Sequence, residues 1–188
     1  MMQNGRSKTI LAISGSTRRP STNETILKLA GTMLPPGVEL ELYPGIDLLP
    51  WFNPDLDSEG AVPPEPVRDL RARILRADGV LICTPEYVFS LPGALKNALE
   101  WTVSTTVFSE KPVAYIVASA SGEKAFESLG LILGTLVQHP LADDCKLLIR
   151  GSRGKVREGA FTDESALSDL QALLEALLLK MRQPASIS

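Results

Sequence analysis

The sequence predicts an α/β protein in which a five-stranded parallel sheet carries helices on both faces. Three apolar runs, at residues 9–14, 79–84 and 112–119, are continuous rather than alternating, which is typical of strands buried on both sides. Segments of helical periodicity separate them, so strand and helix alternate five times. Parallel strands need crossover connections, and right-handed crossovers place helices on both faces. The pattern therefore predicts a doubly wound fold.

Each strand has its own signature. The three continuous runs are the central strands. Residues 38–43, V-E-L-E-L-Y, alternate strictly and predict a strand nearer the edge with one wet face. Residues 145–149 form a fifth, shorter strand.

The helices are predicted from apolar spacing at residues 23–33, 65–77, 93–104, 126–137 and 163–182. The fourth is nearly apolar all round, and the last carries leucines at three and four residue intervals. A long proline-rich connection at 44–64 is not interpreted as a domain linker, because the segments before and after it belong to the same alternation of strands and helices. We expect a single domain over 1–188, with frayed ends at 1–8 and 183–188.

Bulk properties narrow the class of protein. The chain has 188 residues and a net charge of −3, which gives no reason to expect a nucleic acid or an anionic membrane as partner. No apolar run approaches the roughly 20 residues that span a bilayer, and no signal-peptide core precedes the first strand. We expect a cytoplasmic protein. Cys83 lies at the end of one apolar strand and Cys145 at the start of another, and both are interpreted as small buried hydrophobes rather than redox groups.

The first informative loop, 15–23, reads G-S-T-R-R-P-S-T-N and directly follows the first strand. The spacing of Ser21 and Glu24 is that of a capping box, which marks a helix start with unpaired N–H groups and a positive dipole end. A phosphate suits such a position, with hydroxyls from Ser14, Ser16 and Ser21 as further donors. The loop matches neither the P-loop nor G-x-G-x-x-G, and a plain capped turn is the alternative.

The second informative loop, 84–93, reads T-P-E-Y-V-F-S-L-P-G and directly follows the third strand. It offers a rigid, partly aromatic turn to a flat ring. The alternative is that Tyr87 and Phe89 cap the core, which is our expectation for Phe89. In the flavodoxin-like order 2-1-3-4-5, the first and third strands flank the switch point at which ligands bind. The two loops together predict a mononucleotide site.

At these residues the chain resembles the NADPH-dependent FMN reductase family, which includes quinone, azo-dye and chromate reductases. The family pattern G-S-x-R-x-x-S-x-N matches residues 15–23 at every specified position. The pattern P-E-Y-N-x-S-x-P-G-x-L-K-N-A-(I/L)-(D/E)-W matches residues 85–101 except at Val88, where asparagine is usual. The likeness extends from about residue 9 to about residue 149.

The resemblance implies a flavodoxin-like fold, bound FMN, NADPH or NADH as hydride donor, a quinone-like or other small electron acceptor, and a homodimer or homotetramer. It places the FMN phosphate on the first loop and the isoalloxazine on the second, and a third loop at 119–122 closes the other side. It also favours a functional role for Tyr87. The implied cofactor-binding residues are Ser14, Ser16, Arg18, Ser21, Thr22, Asn23, Pro85, Glu86, Tyr87, Val88, Ser90, Ser119, Ser121 and Gly122.

Two departures from the family pattern bear on the site. Val88 replaces a hydrogen-bonding side chain with an apolar one. The third loop usually carries more glycine than the S-G-E-K-A-F found here at 121–126. Either change is expected to alter substrate range, flavin potential or flavin retention.

A flavin carries the redox chemistry itself, so a ping-pong cycle needs no protein nucleophile. We accordingly expect the lone histidine, His139, not to be catalytic. The carboxylate pairs at Asp55 and Asp57 and at Asp143 and Asp144 are interpreted as solvated loops rather than a metal site. The predicted helix at 93–104 has two possible roles, simple packing on the sheet or formation of a dimer face.

Two other functions compete with the reductase. A flavodoxin-type electron carrier is disfavoured because such carriers tend to be strongly acidic. A protein of the same fold that binds flavin weakly or not at all, and serves as an interaction module, stays open because of Val88 and the third loop.

Overall fold

Five parallel strands form the sheet of the computed structural model, which describes residues 6–157 and 160–182. In chain order they are β1 (Lys8–Ser14), β2 (Val38–Leu42), β3 (Gly79–Thr84), β4 (Val113–Ser119) and β5 (Lys146–Arg150). They lie in the order β2-β1-β3-β4-β5, with every neighbouring pair parallel. The predicted flavodoxin-like topology is confirmed. Residues 1–5 and 183–188, where fraying was expected, lie outside the described residues, while Lys8 already belongs to β1.

Six α-helices, three short 3-10 helices and a small hairpin complete the described chain. The α-helices are α1 (Thr22–Thr32), α2 (Glu65–Arg76), α3 (Gly93–Glu100), α4 (Glu123–Leu136), α5 (Ser152–Lys155) and α6 (Glu164–Lys180). The short antiparallel pair β6 (Val156–Arg157) and β7 (Ala160–Phe161) lies between α5 and α6. The sequence analysis missed α5 and this hairpin because they are too short to show periodicity.

The sheet separates two apolar layers, and successive strand residues alternate between them. In β1, Leu11 and Ile13 face the layer formed with α2, α3 and α4, whereas Ile10 and Ala12 face the layer formed with α1 and α6. All four side chains are essentially inaccessible to solvent. This coverage on both faces is what the continuous apolar runs predicted.

Two helix boundaries differ from the predicted ones by three residues or more, and each has an identifiable reason. α4 begins at Glu123, three residues before the predicted start, because its first turn is capped by a side chain from a distant loop. α3 ends at Glu100, and residues 101–104 continue as turns in which Thr102 donates its hydroxyl to the Leu99 carbonyl.

Both cysteines are buried free thiols, as predicted. Burial raises the pKa of Cys83 far above its usual range, and burial together with Asp144 raises the pKa of Cys145 to about 11. Neither thiol is therefore a ready nucleophile. Within the described ranges, no helix combines the length and apolar character needed to cross a membrane.

Candidate functional site

Three loops meet at the carboxyl edge of the sheet, where β1, β3 and β4 end. The Gly15 N–H donates to the Cys83 carbonyl at 2.8 Å and so joins the first loop to the end of β3. The Glu86 carboxylate joins the second loop to the third. The structure thus brings together the three segments in which all the predicted cofactor-binding residues lie.

Gly15 is required by the close approach of the first two loops. A Cβ at this position would lie 2.2 Å from the Thr84 hydroxyl oxygen and 2.6 Å from the Thr84 Cβ. Thr84 is fully buried and cannot easily move aside. The glycine that opens the first motif therefore lets the backbone of β1 pass the end of β3.

The first loop presents hydroxyls and backbone donors at the start of α1. The Ser21 hydroxyl accepts a long hydrogen bond from the Glu24 N–H at 3.5 Å, which confirms the predicted N-cap. Ser16 is half-buried and Arg18 is exposed, so both can reach a ligand. The first N–H groups of a helix lack partners within it, so those of Thr22 and Asn23, at the start of α1, are available to a ligand.

Asn23 also ties the first loop to β3 through its side chain. Its amide oxygen accepts a hydrogen bond from the Cys83 thiol at 3.2 Å, and both residues are buried. The Asn23 amide nitrogen and backbone N–H are the groups left to meet a phosphate.

The second loop is a tight hairpin with an apolar tip. Tyr87 and Ser90 exchange two backbone hydrogen bonds of 3.0 Å, and Val88 and Phe89 have φ angles of +52° and +55°. This is the pattern of a two-residue type I′ turn, which usually contains Asn-Gly. A β-branched residue in the left-handed region is a true outlier. Val88 thus occupies the position whose conformation suits the asparagine of the family pattern.

The tip of the second loop is solvent-exposed. Val88 is 95% exposed, Phe89 78% and Tyr87 49%. The expectation that Phe89 caps the core is therefore wrong, because the hairpin turn points its side chain away from the sheet. Tyr87 presents its half-exposed ring beside the loop backbone.

The third loop is held by the second. Glu86 Oε2 accepts hydrogen bonds from the N–H groups of Lys124 at 2.8 Å and Ala125 at 2.9 Å, and Oε1 accepts one from Gly122 at 3.3 Å. Gly122 has a φ of +107°, and a Cβ there would lie 2.8 Å from a methyl carbon of Leu148. Ser121 beside it is exposed at the edge of the site.

A polar clamp behind the site was missed by the sequence analysis. The Trp101 indole N–H and the Asn97 amide N–H both donate to the Pro50 carbonyl, at 2.8 and 3.0 Å, and the Asn97 amide oxygen accepts from the Phe52 N–H at 2.7 Å. Trp51 lies between the clamped residues and is 80% exposed. The sequence held a signal for these contacts, because Asn97 in α3 and Trp101 at its C-terminal end are hydrogen-bonding residues on the apolar side of the predicted helix.

A buried ion pair fixes the far end of the same connection. Arg71 on α2 pairs with Asp57 at 2.7 Å and donates to the Trp101 carbonyl, while the Ser104 hydroxyl donates to Asp57 at 2.6 Å. The Asp57 side chain is only 5% exposed. The interpretation of Asp57 as part of a solvated loop is therefore wrong, because burial of its carboxylate is compensated by the guanidinium.

A cavity of about 560 Å³ lies on the β2 side of the first loop. Its polar wall includes Ser14, Ser16 and Ser21, and Arg19 pairs across it with Asp47 at 3.6 Å. Tyr43 lines the other side, and burial raises its pKa to about 12, so it stays a neutral hydroxyl. The hydroxyl-bearing face of the first loop therefore opens onto accessible space.

The lone histidine lies away from the three loops. His139 follows α4 and lines a second cavity with Asp78 and Lys111, at the opposite edge of the sheet. Residues 6–157 and 160–182 contain no group of three or more His, Cys, Asp or Glu side chains that could hold a metal ion.

The donor set fits a flavin mononucleotide. Hydroxyls, unpaired helix N–H groups and the exposed Arg18 suit a phosphate dianion at the first loop. In the second loop, the half-exposed Tyr87 ring and the loop backbone suit a flat heterocycle. Ser119 at the end of β4 and Ser121 border the same edge from the third loop.

The chain is similar to several known reductases. Residues 9–143 match the model of a family described as NADPH-dependent FMN reductase. An NAD(P)H-dependent FMN reductase from Pseudomonas aeruginosa is 35% identical over 93% of this chain and 95% of its own length. An NADPH:quinone oxidoreductase from Arabidopsis thaliana is 40% identical over 57% of this chain and 56% of its own. A flavoenzyme NAD(P)H:(acceptor) oxidoreductase from Paracoccus denitrificans has a TM-score of 0.72 at 27% identity, covering 93% of this chain and 97% of that one.

Proposed function

The chain belongs to the NADPH-dependent FMN reductase family, and from this premise we propose that it passes hydride from NAD(P)H through bound FMN to quinone-like or other small electron acceptors. The observation that carries the proposal is the joining of three loops at one sheet edge. A donor-rich helix start lies on one side of this edge and an exposed ring on the other.

The first loop holds the phosphate. Ser16 and Ser21 supply hydroxyl donors, Arg18 supplies charge, and the N–H groups of Thr22 and Asn23 complete the cradle. Ser14 lies at the base of this loop, where its hydroxyl is within 3.3 Å of the Ser16 backbone, and so fixes the loop's shape.

The second and third loops hold the ring system. Pro85 and the backbone of Glu86 to Ser90 form one wall, on which Tyr87 provides aromatic contact and Val88 an apolar tip. Ser119, Ser121 and Gly122 form the opposite wall. These loops orient the reacting partners and exclude water, and no side chain is needed as a nucleophile.

FMN, when bound, supplies the hydride-accepting and electron-donating chemistry. The donor and the acceptor use the same slot in turn, so the cycle is ping-pong. The acceptor is a small molecule, in keeping with the quinone oxidoreductase among the relatives.

The chain assembles as a homodimer or homotetramer. Support comes from exposed apolar side chains at the hairpin tip, Val88 and Phe89, and on the clamped connection, Trp51. Surface of this kind is commonly covered by a partner. The two buried free thiols agree with a cytoplasmic location.

The deciding experiment is to incubate the purified protein with FMN, remove free flavin, and record the absorbance before and after NADPH or NADH is added without oxygen. We expect a retained flavin that bleaches, and that recovers its colour when a quinone is added. A retained flavin that neither donor reduces contradicts the reductase and favours an electron carrier. A colourless protein contradicts flavin binding.

A matched pair of variants tests the phosphate cradle. Arg18→Ala removes the exposed guanidinium of the first loop and is expected to weaken FMN binding about tenfold or more, the worth of one charge-assisted hydrogen bond. Arg76→Ala removes an equally exposed arginine at the end of α2 and is expected to leave FMN affinity unchanged. Equal affinities in the two variants contradict the assignment of Arg18.

A further inference from the structure

The N-terminus of α4 is capped by a residue 37 positions earlier in the chain than Glu123, its first residue. Its own N-cap, Gly122, makes no side-chain capping bond. Glu86 fills this role from the second loop, because its carboxylate accepts hydrogen bonds from the N–H groups of Gly122, Lys124 and Ala125. A single half-buried side chain thus satisfies three donors that the helix itself leaves unpaired.

This contact links the two loops that form the ring walls. Glu86 immediately precedes Tyr87 in the hairpin, and Gly122 ends the third loop. The charged side chains of the same turn form ion pairs with other residues. Lys124 Nζ pairs with Glu127 at 2.8 Å, and Glu123 pairs with Arg150 at 2.6 Å. Among the hydrogen bonds of the described residues, those of Glu86 are the ones that join the second loop to the first turn of α4.

The carboxylate also has an electrostatic effect. A helix N-terminus carries a partial positive charge, and a negative group placed on it compensates that charge. The wall of the third loop therefore presents less positive potential to its surroundings than a bare helix end does.

We propose that Glu86 is a positioning residue, whose side chain locks the third loop to the second and thereby sets both the width of the flavin slot and the potential of the flavin within it. The side chain acts through the backbone of α4 and does not itself touch the flavin. The effect on the flavin rests on the proposed function. The lock between the two loops rests on the hydrogen bonds alone.

The test compares Glu86→Gln and Glu86→Ala with the control Glu123→Gln, which removes one negative charge from the same helical turn without touching the second loop. The first measurement is amide hydrogen exchange by NMR on the flavin-free proteins. We expect the Lys124 and Ala125 amides to exchange at least tenfold faster in both Glu86 variants and at the wild-type rate in the control. Unchanged exchange in Glu86→Ala overturns the lock.

The second measurement is FMN affinity and flavin midpoint potential. Glu86→Gln is expected to weaken FMN binding about tenfold, because the third loop is no longer held firmly against the second. It is also expected to shift the flavin potential to more positive values, because a negative charge near the site is lost. Affinity and potential equal to those of Glu123→Gln overturn the positioning role, even if the amides exchange faster. A wild-type protein that binds no FMN overturns the proposed function and the positioning role together. The exchange rates still report the lock separately in that case.

Discussion

Replacing Val88 by asparagine should stabilise the protein, although the residue lies at the tip of the loop that is proposed to hold the flavin. Val88 has a φ of +52°, where a β-branched side chain crowds the following carbonyl. The left-handed conformation costs an ordinary residue about 1–2 kcal/mol, and asparagine escapes much of this cost. Since Val88 is 95% exposed, the substitution sacrifices almost no buried apolar surface. We therefore expect a gain of about 1 kcal/mol in the free energy of unfolding of Val88→Asn.

The assay is denaturant and thermal unfolding of the flavin-free protein. For a chain of this length, 1 kcal/mol corresponds to a rise in Tm of about 2–4 °C. Val62→Asn is the matched control, because Val62 is also exposed but its φ is not positive. We expect the control to change stability by less than about 0.5 kcal/mol.

Two results would refute the reasoning about Val88. Equal effects of the two substitutions would show that the backbone at Val88 is not strained. A loss of stability that grows with protein concentration would show that Val88 contributes to a contact between copies of the chain, which outweighs the strain. Measuring at two concentrations separates these results.

Two further substitutions test the framework behind the site. Gly15→Ala places a methyl group 2.2 Å from the Thr84 hydroxyl and should lower the free energy of unfolding by about 1–3 kcal/mol. The control Gly93→Ala, with no neighbour within 4 Å, should be close to neutral. Equal unfolding midpoints for the two variants would contradict the close approach of Gly15 to Thr84. Asp57→Asn leaves the buried Arg71 guanidinium without its carboxylate and should lower the free energy of unfolding by about 3 kcal/mol in urea titration. A loss under about 1 kcal/mol would mean that the pair is solvated.

The alternation of strand and helix could be predicted from the sequence because it depends on local periodicity. Continuous apolar runs marked β1, β3 and β4, and the strict alternation at 38–43 marked β2, with boundaries within a residue of those observed. The positions of the first two loops followed from the topology, since strands that flank a switch point end at the same edge.

The contacts among the loops could not be predicted, because each joins residues far apart in the chain. The early start of α4 depends on Glu86. The exposure of Phe89 has a local cause instead, a left-handed hairpin tip that the residues Val88 and Phe89 do not favour. The role of Asp57 depends on Arg71, which lies 14 residues away on a helix that only the fold brings close.

The sequence by itself determined the fold class, the family and the positions of the two loops proposed to hold the ligand, because apolar periodicity and short motifs are local properties of the chain. Only the tertiary structure decided how the loops are held. Carboxylates and amides that are buried or half-buried, such as Asp57, Asn97 and Glu86, find their partners by proximity in space, and the free energy cost of leaving them unpaired enforces that pairing.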